Sequence, residues 1–445
     1  MRIHFIGIGG IGVSALARYF LARGDEVSGS DATGSGITEE LERLGAKISI
    51  GHKAENITTC DVVIFSAAVQ EDNPELMEAR RQGIKCQKYA EALGELTKEK
   101  FTIAVSGMHG KSTTTAMIGL MMERAGLDPT VIVGTKVSEW GNSNFRAGSS
   151  TALGVNQYLV IEADEYDRSF LNYWPKILVL LNIEEEHLDT YTGGLPDIMK
   201  TFEEYIIHLP EDGVLVVNEE DKNITTLINQ KFSAQGGSAS GGKIQKYNSN
   251  NERGLKLKIP GRHNIGNANA ALSVAKILGI ADKVADKALS EFNGTWRRLE
   301  YKGEFNGAKI YDDYGHHPTE IKATLAGVRE LLVSGGKLWC VFQPHQYHRT
   351  YDLFEQFVGA FADADKTIIL PIYSVVGRES EEIKQKVSSE KLALRLQAQG
   401  KSQDTIYAAN FNEAAECLKK NLQPGDVCLI MGAGDIYKLT GQLLD

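Results

Sequence analysis

The sequence predicts an α/β protein in which several parallel sheets are covered by helices. Segments with strand patterns alternate with segments of helical spacing along the 445 residues, which is typical of parallel sheets. Two glycine-rich turns each join a strand to a helix, as nucleotide-binding turns do in such sheets. The chain is also too long for one ordinary domain, and about 100 to 200 residues per domain gives two to four.

The first unit begins with a strand, a turn and a helix. We interpret "RIHFIGIGG" as a buried strand with its turn, and "SALARYFLARG" as a helix that ends at Gly24. Short strands are expected in "EVSGSD", "AKISIG" and "DVVIFSAA". The apolar stretch from Phe5 to Ala22 imitates a signal peptide, but its four glycines, Arg18 and the missing basic n-region argue against one.

The strand and helix pattern starts again twice. A second unit opens with "FTIAVSG", followed by a helix from Lys111 to about Ala125 and by strands in "YLVIEADE" and "KILVLLNIEEEH". Its Gly- and Ser-rich segment 233–243 is interpreted as a surface loop. A third unit holds "AKIYDDYGHHPTEIKATL", "KLWCVFQPH", "DKTIILPIY" and "DVCLIMGAGDIYKL". The expected domains are 1–97, 98–295 and 296–445.

Composition limits the class of partner. The formal net charge is −10, so neither a nucleic acid nor a membrane surface is an expected partner. The five cysteines are widely spaced and form no C-x-x-C pair, which favours neither a disulfide framework nor a zinc site and fits a reducing cytoplasm. No stretch is long and apolar enough to span a bilayer. A small-molecule enzyme of the cytoplasm fits these bounds.

The turn in "AVSGMHGKSTTT" is the most specific single motif. It lies between a predicted strand and a predicted helix, so that backbone N–H groups and the helix N-terminus face phosphate oxygens. Lys111 would reach the β and γ phosphates, and the Ser112 hydroxyl would bind Mg²⁺. Val105 stands where the usual Walker pattern has its first glycine. The alternative is a tight turn with a surface lysine.

The first glycine run is less specific. Gly7, Gly9 and Gly12 follow the G-x-G-x-x-G spacing, and Asp31 follows about 20 residues later, where an acid would hold a ribose hydroxyl. This spacing suits a dinucleotide or the diphosphate of another nucleotide, and a few such turns serve only close helix packing. It establishes room beside a diphosphate but names neither the base nor the sugar.

Acidic and imidazole groups follow two predicted strands. Glu162 and Asp164 share one face of an extended chain, and His187 follows three glutamates just past the next strand. Strand ends are where open α/β sheets bind ligands, so Glu162 and His187 are candidates for binding Mg²⁺ beside a phosphate. The alternative for each acid alone is a solvated turn. In "PGRHNIGNANAA", His263, Asn264 and Asn267 suit a base edge, although an Asn-rich helix start also suits a cap.

Taken in order, the motifs resemble those of the ATP-dependent Mur ligases along essentially the whole chain. The motifs that carry the resemblance are "GIGGIG", "SGMHGKSTTT", "EADEYD", "NIEEEHLDTY", "GRHNIGNANAA", "RRLE", "DDYGHHPTE", "QPHQYHRT" and "MGAGDI". The resemblance implies a Rossmann-like N-terminal domain, a P-loop ATPase domain and a Rossmann-like C-terminal domain. It also implies peptidoglycan precursor synthesis, and with it a role in cell shape and division.

The resemblance implies an activity as well. ATP would convert the lactyl carboxylate of UDP-N-acetylmuramate into an acyl phosphate, and the amine of L-alanine would then displace phosphate. Mg²⁺ would serve as cofactor, and the protein would be a monomer or weak homodimer.

The site residues that the resemblance implies fall into five groups. The catalytic group is Lys111, Glu162, His187, His316 and Arg349, and the metal ligands are Ser112, Glu162 and His187. The ATP-binding group is Gly107, Met108, His109, Gly110, Lys111, Ser112, Thr113, His263, Asn264, Asn267, Arg298 and Asp313. The UDP-sugar group is Gly9, Gly10, Ile11, Gly12, Asp31, His52 and Ser66. The amino-acid group is Tyr314, His316, Gln346 and Arg349.

Four positions depart from the common pattern of these ligases, and other functions remain open. Met108 and Ser112 stand where two threonines are common, Tyr166 replaces a serine, and Gln346 replaces an arginine and supplies no charge. One alternative is a recycling ligase that joins a whole murein peptide to the same UDP-sugar. An NAD-dependent oxidoreductase would leave Lys111 unexplained, and a non-catalytic nucleotide-sugar sensor would not need Lys111, Glu162 and His187 together.

Overall fold

The computed structural model describes residues 1–148, 158–187, 190–231, 242–374, 379–398 and 404–444. The expected surface loop at 233–243 lies outside these ranges except for its last two residues. Two compact units are distinguished, Met1–Lys256 with Ile265–Asn293, and Leu257–Asn264 with Gly294–Asp445.

The first unit contains two sheets. In the first sheet all five strands are parallel, in the order β3-β2-β1-β4-β5. Its strands are β1 (Arg2–Ile6), β2 (Glu26–Asp31), β3 (Lys47–Ile50), β4 (Val62–Phe65) and β5 (Lys85–Lys88). The expected strands are all present, and the polar edge strand β5 is an addition.

The second sheet has the order β12-β11-β10-β6-β9-β7-β8 and is parallel except for its edge pair β7 and β8. Its strands are β6 (Phe101–Ser106), β7 (Thr130–Val137), β8 (Ser143–Arg146), β9 (Tyr158–Glu162), β10 (Ile177–Leu180), β11 (Val214–Asn218) and β12 (Lys243–Tyr247). Strand β6 lies between β9 and β10, so the turns that follow these three strands meet at one edge of the sheet.

The second unit contains the third sheet, in the order β13-β14-β18-β15-β16-β17, in which only β13 runs antiparallel to its neighbour. Its strands are β13 (Glu300–Phe305), β14 (Ala308–Asp313), β15 (Leu338–Phe342), β16 (Lys366–Ile369), β17 (Asp404–Tyr407) and β18 (Val427–Met431).

Helices connect the strands in both units. Those of the first unit are α1 (Ile11–Arg23), α2 (Gly36–Arg43), α3 (Pro74–Arg81), α4 (Tyr89–Glu99), α5 (Lys111–Arg124), α6 (Leu195–Ile206), α7 (Lys222–Lys231), α8 (Arg262–Ile277, which begins in the second unit) and α9 (Asp282–Glu291). Those of the second unit are α10 (Pro318–Arg329), α11 (Tyr347–Asp352), α12 (Phe354–Val358), α13 (Glu381–Lys386), α14 (Ser389–Gln397), α15 (Phe411–Asn421) and α16 (Lys438–Leu444). Helix α5 ends one residue before its expected end, and α1 begins three residues before the predicted "SALARYFLARG".

The central strands bury both faces, which explains their unbroken apolar runs. On β15, Cys340 and Phe342 pack on one side of the third sheet, and Trp339 and Val341 pack on the other. The alternation follows from the two-residue period of a strand. The α/β class predicted from the sequence is confirmed. Among the described residues, no helix combines the length and apolarity that crossing a membrane demands.

Candidate active site

The phosphate loop is a tight turn held by hydrogen bonds to one asparagine. Gly107 and Gly110 have φ of +132° and +83°, which only glycine adopts readily. A Cβ on Gly107 would lie 3.0 Å from backbone atoms of Asn182. The Asn182 side chain accepts from the His109 amide at 2.8 Å and donates to the His109 carbonyl at 2.9 Å. Asn182 therefore fixes both the amide and the carbonyl of His109 in the loop.

Lys111, the first residue of α5, points at a buried carboxylate. Its Nζ lies 2.7 and 3.0 Å from the two oxygens of Glu165, whose side chain has no exposed surface. Burial acts to lower the pKa of Lys111, but the charges of Glu165 and Asp164 outweigh it and raise the pKa above its ordinary value. The ammonium stays charged and is held at the phosphate loop.

Ser112 and Glu162 form the adjoining contact. The Ser112 hydroxyl donates to Oε1 of Glu162 at 2.9 Å, and the Gly134 amide donates to Oε2 at 2.7 Å. Glu162 ends β9, so its carboxylate lies at the edge where the phosphate loop begins. This hydroxyl and carboxylate are oxygen donors of the kind that Mg²⁺ prefers.

His187 lies with a different carboxylate. Its Nε2 is 3.2 Å from Oε1 of Glu165, and it has an uncommon left-handed backbone with φ of +54°. Asp164, Glu165 and His187 each offer a ligand atom within 4.8 Å of the others. The donor set therefore fits a divalent cation, although Glu165, which the sequence analysis did not select, takes part in it.

Asn267 lies against the phosphate loop. A Cβ on Gly110 would be 2.5 Å from the Asn267 Oδ1 atom, so only glycine fits beneath this amide. Met108, Ser112 and Thr113 are also buried, at 5 to 6% exposure. Asn267, expected from the motif at the adenine, therefore touches the turn that would carry the phosphates.

The first glycine turn is closed by its own backbone. The amides of Gly7 and Ile8 both donate to the Ser30 carbonyl, at 2.8 and 3.0 Å, and Gly10 donates to Gly7. Helix α1 then begins with Gly10 as its N-cap and without a side-chain cap. Its first N–H groups therefore have no side-chain cap, and such a helix start stabilises an anion.

Three further UDP-sugar candidates lie at or just after the ends of strands beside this turn. Asp31 accepts from the Gly9 amide at 2.9 Å, so one of its oxygens serves the turn itself. Ser66 follows β4, and its Cβ would lie 3.1 Å from a Cβ on Gly7. His52 bonds Ser30 at 2.9 Å and lies 3.7 Å from Glu75, a fully buried carboxylate. The structure brings these candidates together at one end of the sheet.

In the second unit, Arg298 lies just before β13, and Asp313 is the last residue of β14. Asp313 accepts the amides of Leu299 and Gly315, each at 2.7 Å. Burial raises the pKa of Asp313 to about 6. Arg298 bonds Glu320 at 3.3 Å, and its guanidinium lies 5.2 Å from the centre of the Tyr314 ring.

His263 and Asn264 open α8. The His263 Cε1 atom lies 2.7 Å from where a Cβ on Gly261 would be, and the ring is exposed. Asn264 is buried and donates to the Pro260 carbonyl at 2.7 Å. Asn264 thus fixes the start of the helix, while His263 presents an accessible ring.

Two of the amino-acid candidates, Tyr314 and His316, have neighbouring rings just after β14, and His345 adjoins them. The ring of His316 lies 5.5 Å from Tyr314 and 6.0 Å from His345. Glu320 accepts the His316 amide at 2.9 Å. Arg349 lies on α11, and its Nη1 is 3.3 Å from Nδ1 of His345. The guanidinium has the fork geometry that binds a carboxylate.

Gln346 is the unusual residue of this group. It precedes α11 and has a φ of +71°, a backbone conformation that residues other than glycine rarely adopt. Its backbone N–H donates to the Tyr373 carbonyl at 2.9 Å, and its backbone carbonyl accepts a hydrogen bond from the Thr350 hydroxyl at 2.7 Å. These bonds hold the backbone in a conformation that its side chain does not favour.

Several residues that organise the site were not selected from the sequence: Glu75, Glu165, Asn182, Arg297 and Glu320. Glu165 lies in "EADEYD" and Asn182 in "NIEEEHLDTY", but neighbouring acids and amides were equally good candidates. Arg297 is 2% exposed and bonds Asp312 and the carbonyls of Gly432 and Gly434. The motif predicted a role for the neighbouring Arg298. The burial that sets Arg297 apart from it is visible only in the structure.

Comparison with family models accounts for most of the chain. Residues 2–101 match the Mur ligase family catalytic domain, and residues 105–275 match the Mur ligase middle domain. Residues 297–434 match the Mur ligase glutamate ligase domain.

Individual relatives match over nearly their full length. The UDP-N-acetylmuramate–L-alanine ligase of Acetivibrio thermocellus is 41% identical, with 98% of this chain and 94% of that protein covered. The ligase of the same name from Clostridium tetani is 42% identical, with 98% and 96% covered. The crystal structure of the Thermotoga maritima UDP-N-acetylmuramate–alanine ligase has a TM-score of 0.80 at 26% identity, covering 100% of this chain and 98% of that chain. A murein peptide ligase from Psychrobacter arcticus, 23% identical with a TM-score of 0.70 over 100% and 98% of the two chains, shares the fold.

Proposed function

The chain belongs to the Mur ligase family, and on that basis we propose that it joins L-alanine to the lactyl carboxylate of UDP-N-acetylmuramate at the expense of ATP. The carboxylate attacks the γ-phosphate and gives an acyl phosphate and ADP. The amine of L-alanine then attacks the acyl carbon, and the tetrahedral intermediate expels phosphate. The product is a precursor of peptidoglycan.

The contact between Lys111 and Glu165 is the observation that carries the phosphoryl transfer. A lysine at the end of a phosphate loop, kept charged by a buried carboxylate, faces the position where charge develops on the γ-phosphate. Neither a nucleotide-sugar sensor nor an oxidoreductase requires such a group.

Mg²⁺ is part of the proposal. Ser112, Glu162 and His187 would hold it, with Asp164 and Glu165 adjoining, because these side chains provide the oxygen and imidazole donors described above. The ion would offset charge on the phosphate oxygens. The residues of the chain contribute positioning: Ser112 and Glu162 are fixed to each other, and Glu165 orients His187.

The remaining roles concern the binding of ATP and of the amino acid. Asn264, Arg298 and Asp313 would bind ATP together with His263 and Asn267, whose amide adjoins the phosphate loop. In the second unit Tyr314, His316 and Arg349 would bind the amino acid, with Arg349 holding its carboxylate. Gln346 would add a neutral hydrogen bond.

The first glycine turn would bind the diphosphate of the UDP-sugar. Gly9, Gly10, Ile11 and Gly12 surround the uncapped start of α1, which suits a diphosphate without selecting NAD. His52 and Ser66 lie beside the turn. Asp31 would contribute mainly by fixing Gly9.

The proposal extends to the domain boundaries, the cellular location, the oligomeric state and a second candidate function. We propose domain boundaries near 97 and 295, a cytoplasmic location, and a monomer or weak homodimer. The recycling ligase is the second candidate, because it shares the fold; the names of the relatives at about 40% identity favour L-alanine addition.

Phosphate release tests the function directly. The wild-type protein should release phosphate only when ATP, UDP-N-acetylmuramate and L-alanine are all present. Lys111→Ala should abolish turnover, because no other group at the loop replaces its charge. It should also lower the melting temperature, since buried Glu165 then keeps only His187 as a charged partner among the described residues. Near-normal turnover in the folded variant would refute the role of Lys111.

A further inference from the structure

Tyr89 is a partly buried phenol that lies over the first glycine turn. It is the first residue of α4, and a Cβ on Gly12 would lie 3.1 Å from its Cζ and 3.3 Å from its Oη. Gly12 is in the first turn of α1, so the phenol reaches the same uncapped helix start that would receive the diphosphate. The ring leaves no room for a side chain at Gly12.

The position of Tyr89 is fixed from both sides. Helix α4 packs against the segment 166–172 so closely that Gly94 abuts the Asn172 carbonyl, and Thr97 accepts the Trp174 amide at 3.0 Å. On the other side Asn144 of β8 donates to the Ser14 hydroxyl at 2.9 Å and to the Ile11 carbonyl. Both elements beside the phenol are therefore attached to the second sheet.

The Tyr89 hydroxyl is available to a ligand. Within the described residues it has no hydrogen-bond partner, and the residue is half-buried. Burial, and then the negative charges of Glu162 and Asp164, raise the pKa of the phenol above its ordinary value. The phenol is thus a neutral hydrogen-bond donor at neutral pH.

We propose that Tyr89 is a substrate-binding residue whose hydroxyl donates a hydrogen bond to the diphosphate of the nucleotide sugar. This inference rests on the proposed binding of the UDP-sugar at the first glycine turn. No motif indicated Tyr89, because it lies outside the turn in sequence and reaches it only through the packing of α4.

Calorimetry with the full chain tests the inference, with UDP and UDP-N-acetylmuramate as probes. Tyr89→Phe removes only the hydroxyl and should weaken both ligands by about 10-fold or more, as expected for a hydrogen bond to a charged group. The KM for UDP-N-acetylmuramate should rise in the same variant, whereas the KM for ATP should change little. Tyr301→Phe, which removes an exposed hydroxyl from the second unit, is the matched control and should bind as wild type.

Tyr89→Leu separates binding from packing, because it removes the ring that covers Gly12. If Tyr89→Phe binds both probes as tightly as wild type while Tyr89→Leu loses stability, the residue is structural and the inference is overturned. If the wild-type protein itself binds neither probe, the UDP-sugar assignment of the turn fails, and the inference fails with it. Unequal loss, for UDP-N-acetylmuramate but not UDP, would also contradict a contact with the diphosphate.

Discussion

The Nζ atom of Lys111 lies 2.7 Å from Oε2 of Glu165, a carboxylate with no exposed surface. The same carboxylate is 3.2 Å from Nε2 of His187. Burial acts to raise the pKa of Glu165, but Lys111 and His187 reverse this and hold it below the ordinary value. One buried charge thus orients both a phosphate-loop cation and a candidate metal ligand.

Glu165→Gln tests this arrangement. The amide keeps the shape but loses the charge that both partners share, so kcat should fall by about 10- to 100-fold, which corresponds to ~1.5–3 kcal/mol for a charge-assisted hydrogen bond. Steady-state phosphate release measures the change. Glu204→Gln, on the exposed face of α6, is the control and should retain wild-type kcat. A folded Glu165→Gln protein with kcat within about twofold of wild type would contradict the assignment.

How far the sequence predicts this site depends on the spacing of its parts. The phosphate loop from Gly107 to Thr113 is contiguous, so its residues follow from one motif. Glu165 stands in "EADEYD" among four acids, and only packing separates it from Asp167, which pairs instead with Lys88 at 3.4 Å. The bond from Asn182 to His109 likewise joins residues that are distant in sequence, so no local pattern specifies it.

The fold was predictable for a related reason. Buried parallel strands produce apolar runs such as β15 and β18, which stand out in the sequence. Edge strands do not: β5 is "KCQK" and is half-exposed. The uncommon backbone at Gln346 also left no mark in the sequence, because its hydrogen bond to Tyr373 joins residues that are distant in sequence.

Asp313 should make stability depend on pH. Its pKa is raised to about 6 by burial, with Arg298 lowering and Glu320 raising it. Between about pH 4, where the unfolded carboxyl ionises, and pH 6 the folded protein binds more protons. Stability from this group therefore falls as the pH rises, by up to ~1.4 kcal/mol per pH unit.

Asp313→Asn removes the titrating group. In urea unfolding from pH 4 to 7, the free energy of unfolding of wild type minus that of the variant should decrease as the pH rises to about 6 and then level off. The subtraction cancels other carboxyls. A difference independent of pH would show that Asp313 titrates normally in the folded protein.

Arg349 and Gln346 test the amino-acid site. If Arg349 alone holds the carboxylate, Arg349→Ala should raise the KM for L-alanine strongly and leave that for ATP nearly unchanged. Gln346→Arg should lower the KM for L-alanine, since a second cation adds a charge-assisted contact of ~1–3 kcal/mol before ordering and desolvation are subtracted. The backbone strain at position 346 is the same for both side chains. Equal effects of Arg349→Ala on the KM values of ATP and L-alanine would argue against a specific carboxylate contact.

The choice of amine substrate gives the sharpest test of the proposed addition of L-alanine. Phosphate release should be measured side by side with L-alanine, L-serine, glycine and a tripeptide that begins L-alanyl-γ-D-glutamyl, at saturating ATP and UDP-N-acetylmuramate. We expect the highest kcat/KM with L-alanine. A much higher kcat/KM with the tripeptide than with any free amino acid would contradict it and identify the protein as a recycling ligase.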